Sequence, residues 1–152
     1  MESSIQGVAL HKLRQFHDER GKVMHMLKTD DPHFDRFGEI YFSCTHPNVV
    51  KAWHKHSEMT LNYAAVSGCV KVVLFDDREG SSSFGLIEEH YLSPENYYLL
   101  TVPPGIWNGF KAIGVDMAIV AHCATIPHRG DEIIRLAFDD KRIGYDWKLN
   151  HY

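Results

Sequence analysis

Lys51-Ala52-Trp53-His54-Lys55-His56, taken with Val102-Pro103-Pro104-Gly105-Ile106-Trp107-Asn108-Gly109-Phe110, decides how the rest of the chain is read. As a strand, the first run has a period of two that puts Ala52, His54 and His56 on one face, so two imidazoles converge on a single patch. The second run opens with a turn made by two prolines and a glycine, then resumes an extended path with Trp107 and Asn108 just past the corner. Paired in one small barrel, the two runs line the same cavity.

The sequence around them supports a barrel. Gly38–Ser43, Val49–His56, Leu61–Val66, Cys69–Asp76, Ser83–Tyr91, Tyr97–Val102, Ile106–Ala112 and Met117–Ala124 are short runs rich in Val, Ile, Tyr and Phe. Turn residues follow most of them, among them Thr45-His46-Pro47-Asn48, Ser67-Gly68, Ser93-Pro94-Glu95-Asn96 and Gly114. Eight such runs at roughly ten-residue spacing, without a long helix between them, predict an all-β fold, an antiparallel sandwich or barrel. Upstream, Ile5, Ala9, Leu13 and Phe16 recur at helical spacing, which allows an amphipathic helix over residues 5–16, with a strand as the alternative for its first half. A polar turn, His17–Gly21, precedes the apolar run Val23–Leu27; Thr29-Asp30-Asp31-Pro32 breaks it, and Asp35–Phe37 is expected to form a short turn of helix. The tail, Asp131–Tyr152, is polar with Ile133, Ile134 and Leu136 as anchors, and is expected to pack outside the barrel.

At 152 residues and 44% hydrophobic composition, the chain supports one core and one domain, residues 1–152. A formal charge of −4 with no basic run lacks the positive footprint that a phosphate backbone requires, so nucleic acid is not an expected partner. Cys44, Cys69 and Cys123 are widely spaced and odd in number, which fits reduced, mostly buried thiols better than a disulfide framework. No opening signal peptide and no apolar run near ~20 residues is seen, so a cytoplasmic protein without membrane contact is expected.

A closed β-barrel binds its ligand in its mouth or interior, which makes inward polar residues the informative ones. His54 and His56 lead, with Lys51 near them; Asn62 or Tyr63 on the following strand, Asn108 after the proline turn and His122 on the last strong strand complete the candidates. Trp53, Tyr63, Trp107 and Phe110 are candidates for stacking on a base or sugar, or else core. An isolated strand histidine is ordinarily a surface or hydrogen-bonded residue; a His-x-His pair sharing a face is less ordinary. Metal binding would need a third ligand, and the positions that carry one in metal cupins hold Thr60 or Leu61 and Asn108 here, with Glu58 too close to the second histidine and His122 the one available substitute. No metal or other cofactor is therefore expected. The competing chemistry is metal-free proton transfer, with an imidazole of ordinary pKa near ~6.5 removing a proton next to a carbonyl.

These pieces, in order, resemble the dTDP-4-dehydrorhamnose 3,5-epimerase family of cupin jelly rolls. Asp18-Glu19-Arg20-Gly21 is similar to its Asp-x-Arg-Gly turn, Val50–His54 to its Arg-Gly-Leu-His strand, and Gly68 through Asp77-Arg78 with Ser82/Ser83-Phe84-Gly85 to its Gly-x-Val…Asp-x-Arg…Ser-x-Thr-Phe-Gly run. Val102–Phe110 corresponds to its Pro-x-Gly-x-x-His-Gly-Phe, and Phe138-Asp139-Asp140…Trp147 to its Trp-Asp-Asp…Ile-x-Trp. The resemblance implies a jelly-roll barrel of two antiparallel sheets with a short C-terminal tail, strands in place of the helix over residues 5–16, and another strand near Val23–Leu27.

It also implies an isomerase or epimerase that abstracts a proton beside the keto group of a nucleotide-linked 4-keto-6-deoxyhexose, in deoxysugar or polysaccharide biosynthesis. The base falls on His54 and the phosphate-side cation on Lys51, while Arg20 matches a nucleotide-sugar contact. The turn histidine is replaced by Asn108 and the lysine of the next strand by Leu61. The acid tyrosine lands on Ile126, leaving His128 as the nearest proton donor. The family's Leu-Ser-x-Lys-Asp segment, whose aspartate orients the base, falls beyond residue 152. Met24 and His25 stand where an aromatic and a glutamate would meet the nucleotide of a neighbouring subunit; a homodimer through exchanged N-terminal strands is implied. A non-catalytic nucleotide-sugar or small-ligand cupin, and a metal-dependent cupin using His54 and His56, are the other readings.

Overall fold

The computed structural model describes residues 2–148, and every regular element among them is a strand. In chain order these are β1 (Ala9–Lys12), β2 (Gln15–Asp18), β3 (Gly21–Met24), β4 (Glu39–Thr45), β5 (Val50–His56), β6 (Leu61–Ser67), β7 (Cys69–Asp76), β8 (Ile87–Leu92), β9 (Tyr98–Val102), β10 (Ile106–Ile113), β11 (Ala118–Ala124) and β12 (Ile133–Arg135). Two five-stranded sheets face each other, ordered β1-β9-β6-β11-β4 and β12-β5-β10-β7-β8, while β2 and β3 form a separate ribbon. All pairings are antiparallel. This is the expected jelly roll: from β4 on, successive strands cross between the sheets except for the β7–β8 hairpin.

Period two builds the core. Leu61, Tyr63 and Ala65 of β6, Leu100 and Val102 of β9, and Ala118, Val120 and Ala124 of β11 meet Val70, Val72 and Leu74 of β7 and Ile106, Phe110 and Ala112 of β10. Each buried Val, Leu, Ile or Phe among them stabilises the fold by ~1.5–3 kcal/mol. The sheet containing β5, β10 and β7 is also covered on its outer face, where Trp53, Val73 and Trp107 pack with Ile143 and Trp147. Burial on both faces explains why β7 reads as the nearly unbroken apolar run Val70-Lys71-Val72-Val73-Leu74. Gly68 alone connects β6 to β7 at φ +67°, and a Cβ there would come within 2.8 Å of the Ala118 Cα.

Several local expectations are corrected. Residues 5–16 are not helical: Ile5 and Val8 enter the core, β1 pairs with β9 and β2 with β3, so sheet hydrogen bonding overrides a helical spacing of apolar residues. The run near Val23–Leu27 is a strand only up to Met24. Asp35–Phe37 is irregular; the turn lies earlier, where the Asp31 carboxylate accepts the Lys28 N–H and the Phe34 N–H reaches the Asp31 carbonyl. The strand expected from Ser83 starts at Ile87, because Ser83 and Ser81 donate their hydroxyls to Asp76 instead. The tail does not merely pack outside the barrel: β12 hydrogen-bonds to β5 and extends the sheet. The single-domain reading and the tail also take in residues 1 and 149–152, which lie outside the described residues. The thiols are less buried than expected, Cys44 being exposed and Cys69 and Cys123 half-buried.

Candidate active site

Residues of both sheets line a cavity of about 290 Å3. One wall carries Lys51, His54 and His56 of β5, Asn108 and Phe110 of β10, and Arg135 of β12; the facing wall carries Glu39, Tyr41 and Ser43 of β4 and His122 of β11. His128, on the loop that leaves β11, reaches the rim.

A bulge decides who stands on the first wall. Asn108 pairs with His54 but Phe110 pairs with Lys51, so β5 holds one residue more than β10 over this stretch. Strict alternation would put Lys51 and His54 on opposite faces. The extra residue brings both into the cavity and turns Ala52 outward, against the expectation that Ala52 shares a face with the histidines; Ala52 packs instead with the outer tryptophan cluster. Gly109 makes this close approach possible, since a Cβ there would lie 2.4 Å from the Ala52 Cβ.

The two imidazoles of β5 have different surroundings. His56 is buried, and its Nδ1 lies 2.5 Å from Oε1 of Glu132, a residue only 2% exposed. The other carboxylate oxygen accepts the backbone N–H groups of Met59 and Glu58, at 3.1 and 3.3 Å. Burial alone would raise the Glu132 pKa, but the bond from His56 and these amides together hold it below the usual value. His54 lies between His56 and Arg135, its cross-strand partner on β12. Its pKa is lowered to about 4, first by burial and then by the charges of Arg135 and His56. Asn108 donates its amide to the His54 carbonyl at 3.0 Å, and Lys51 donates to Ser43 Oγ and the Cys44 carbonyl.

On the facing wall His122 is 5% exposed, stacks on Tyr41 with ring centroids 4.5 Å apart, and has no hydrogen-bond partner for either ring nitrogen. Burial first, then His54, Lys51 and His56, lowers its pKa to about 3, so it is neutral near neutrality. Tyr63 lies behind it, 5.1 Å between ring centroids, its hydroxyl also unpartnered. Tyr41 is pushed up to about 12 by burial and by Glu39, which keeps its phenol protonated.

Of the residues singled out from sequence, Lys51, His54, His56, Asn108, His122 and His128 come together in this cavity. Three do not. Arg20 sits on the β2–β3 turn, paired with Asp18 in the open. Asn62 points to the far side of its sheet, bonded to the Cys123 carbonyl and Thr101. Trp107 alternates outward from Asn108, donates Nε1–H to Asp77 and lies under Lys55. Sequence reasoning missed Glu132, Arg135 and Tyr41. For Tyr41 a signal existed: β4 alternates with polar Glu39, Tyr41 and Ser43 inward and Ile40 and Phe42 outward, the reverse of a core strand, because here the inside is a polar cavity. Among the described residues no group of three or more His, Cys, Asp or Glu side chains is placed to hold a metal ion.

A jelly roll whose mouth gathers imidazoles, cations and a phenol around a sugar-sized space defines a cupin of the sugar-isomerase type. Comparison with known proteins agrees: residues 2–152 match the family described as dTDP-4-dehydrorhamnose 3,5-epimerase, and the chain belongs to that family. It is 30% identical over 145 residues, 94% of this chain and 96% of the other, to the spore coat polysaccharide biosynthesis protein SpsL of Bacillus subtilis. Over 148 residues, 95% of each chain, it is 30% identical to a probable low-salt glycan biosynthesis epimerase, Agl13, of Haloferax volcanii. A crystal structure of a dTDP sugar isomerase from Desulfovibrio desulfuricans superposes with a TM-score of 0.92 at 46% identity, covering 94% of this chain and 92% of that one. The chain is an enzyme of the epimerase and isomerase class, with an epimerase-like role in polysaccharide biosynthesis.

Proposed function

We propose that this enzyme takes a nucleotide-linked 4-keto-6-deoxyhexose and removes the proton from a carbon beside the keto group, using an imidazole of β5 as base. The family's strand motif points to His54, and His56 stands beside it on the same wall. The observation that carries the reading is the single wall on which His54 and His56 stand beside Lys51 and Arg135. The carbon acid's proton passes to a ring nitrogen, the C–H electron pair moves into an enolate, and a cation on the same wall stabilises the developing oxyanion. Inversion requires the proton to return on the other face, and His128 at the rim is the group we assign to this. His122, backed by Tyr63, forms the end of the cavity against which the sugar rests, with Asn108 bounding its wall.

The reading includes a cytoplasmic location and pairing of two copies through the β2–β3 ribbon, where Phe16 and Val23 sit opposite each other and are 53% and 60% exposed. Arg20 on the same ribbon then serves the partner's nucleotide. The test is incubation with a dTDP-4-keto-6-deoxyhexose in D2O. Deuterium is expected at C3 or C5, and no incorporation above the protein-free rate would overturn the proposal.

A further inference from the structure

Proton abstraction needs a lone pair held in place, and the two histidines of β5 do not offer it equally. A carboxylate can only accept hydrogen bonds, so at the 2.5 Å contact with Glu132 it is His56 Nδ1 that carries the hydrogen. In the neutral ring the lone pair is then on Nε2, and His56 lines the cavity. Glu132 is in turn fixed by the amides of Glu58 and Met59, and the Ser57 N–H donates to the Glu132 carbonyl, so both side chain and backbone of this acid are tied to the end of β5. His54 has no such carboxylate; its cross-strand neighbour is the guanidinium of Arg135, which opposes a positive charge on the ring.

From this geometry we infer that His56, oriented by Glu132, is the base that removes the substrate proton, and that His54 is a neutral hydrogen-bonding group for the sugar. The inference rests on the proton-transfer reading above and names the residue that performs it. The proton leaves carbon for His56 Nε2, giving an imidazolium whose Nδ1–H stays on Glu132; the C–H electron pair becomes the enolate, His128 protonates that carbon from the opposite face, and solvent then takes the proton from His56 and returns one to His128. Glu132 touches no substrate and is a positioning residue. The charged and titratable groups that face His56 are His54 and Lys51 on its own strand, Glu132 and Arg135 from the β12 segment, His122 from β11, Glu39 and Tyr41 from β4, and His128 at the rim.

The experiment measures deuterium wash-in and the pH dependence of kcat/KM for wild type, His56→Gln, His54→Asn, Glu132→Gln and Glu132→Asp. His56→Gln should lower kcat by ~10³-fold or more, and Glu132→Gln by ~10²-fold, with partial recovery in Glu132→Asp. Glu132→Gln should also move the acid limb of the profile to lower pH, because the imidazolium loses its carboxylate; a merely structural role would leave that limb in place. His54→Asn should act mainly through KM. Should Glu132→Gln fail to fold, nitrogen NMR of the wild-type protein still decides: near neutrality His56 must be the Nδ1–H tautomer. A His56 found as the Nε2–H tautomer, an acid limb that does not move, or His56→Gln keeping kcat while His54→Asn abolishes it, would each overturn the inference and leave the epimerase reading intact. Absence of wash-in by wild type would remove that reading and this one together.

Discussion

Gly109→Ala tests the bulge on which the site wall depends. The added methyl would start 2.4 Å from the Ala52 Cβ and 3.0 Å from its Cα. Contacting carbons settle at ~3.5–4.0 Å, so β5 and β10 must separate locally by more than ~1 Å. Neither strand moves freely at this point, because Ala52 packs under the outer aromatic cluster and Phe110 fills the core. Overpacking of this kind costs ~1–3 kcal/mol, to be read from urea unfolding followed by circular dichroism. The catalytic effect should be larger than the stability effect suggests: Lys51 and His54 flank the displaced residue, and a shift of ~1 Å in a site can cost ~10²-fold in rate. Ala52→Gly in the same chain removes the nearer clash and should recover part of both losses, a coupling that distant sites would not show. Unfolding within ~0.5 kcal/mol of wild type together with unchanged deuterium wash-in would refute the claim that close packing at Gly109 holds the wall.

Acid sensitivity should trace to His122. Its folded pKa of about 3 lies below the unfolded value, so below ~6.5 the unfolded chain takes up a proton that the folded chain refuses, and stability falls as pH drops toward ~3. His122→Phe leaves the stacking on Tyr41 and removes the two unpartnered nitrogens, so between pH ~7 and ~5 it should gain ~2 kcal/mol on wild type; parallel stability curves for the two proteins would contradict this. Asp76→Ala should destabilise by ~3–5 kcal/mol, since it strips the buried carboxylate that receives Arg78, Ser81 and Ser83. Arg78 foremost holds the Asp76 pKa well below the usual range, so this contribution is present above ~4 and lost as pH falls further; chemical unfolding at pH ~7 and ~3 checks both statements, and a pH-independent difference would disprove them.

The motif run from Asp77-Arg78 to Ser83 illustrates what could be read from the chain. It marked the fold family, and in the structure Arg78, Ser81 and Ser83 gather on Asp76 at the end of β7 and tie a turn together, none of them lining the cavity. The long runs of β5, β7, β10 and β11 were legible because each carries a period-two pattern or an unbroken apolar stretch closed by a turn. The N-terminal run was not legible from its spacing, because Ile5 and Val8 are buried by contacts with strands far along the chain. His54, His56 and Asn108 were found because their chemistry is unusual for a strand interior.

What the sequence determined by itself is the central run of strands, β4 to β11, most of their turns and the imidazole pair, since alternation and turn chemistry act between residues a few positions apart. The tertiary structure alone decided which faces those residues present and which groups they meet. The bulge in β5 exists only relative to β10, and it exchanges Ala52 for Lys51 on the wall. The carboxylate on His56 comes from 76 positions away, through a segment that looked like a polar tail until β12 closed onto β5. Pairing register and long-range hydrogen bonding depend on the whole barrel, and no local pattern encodes them.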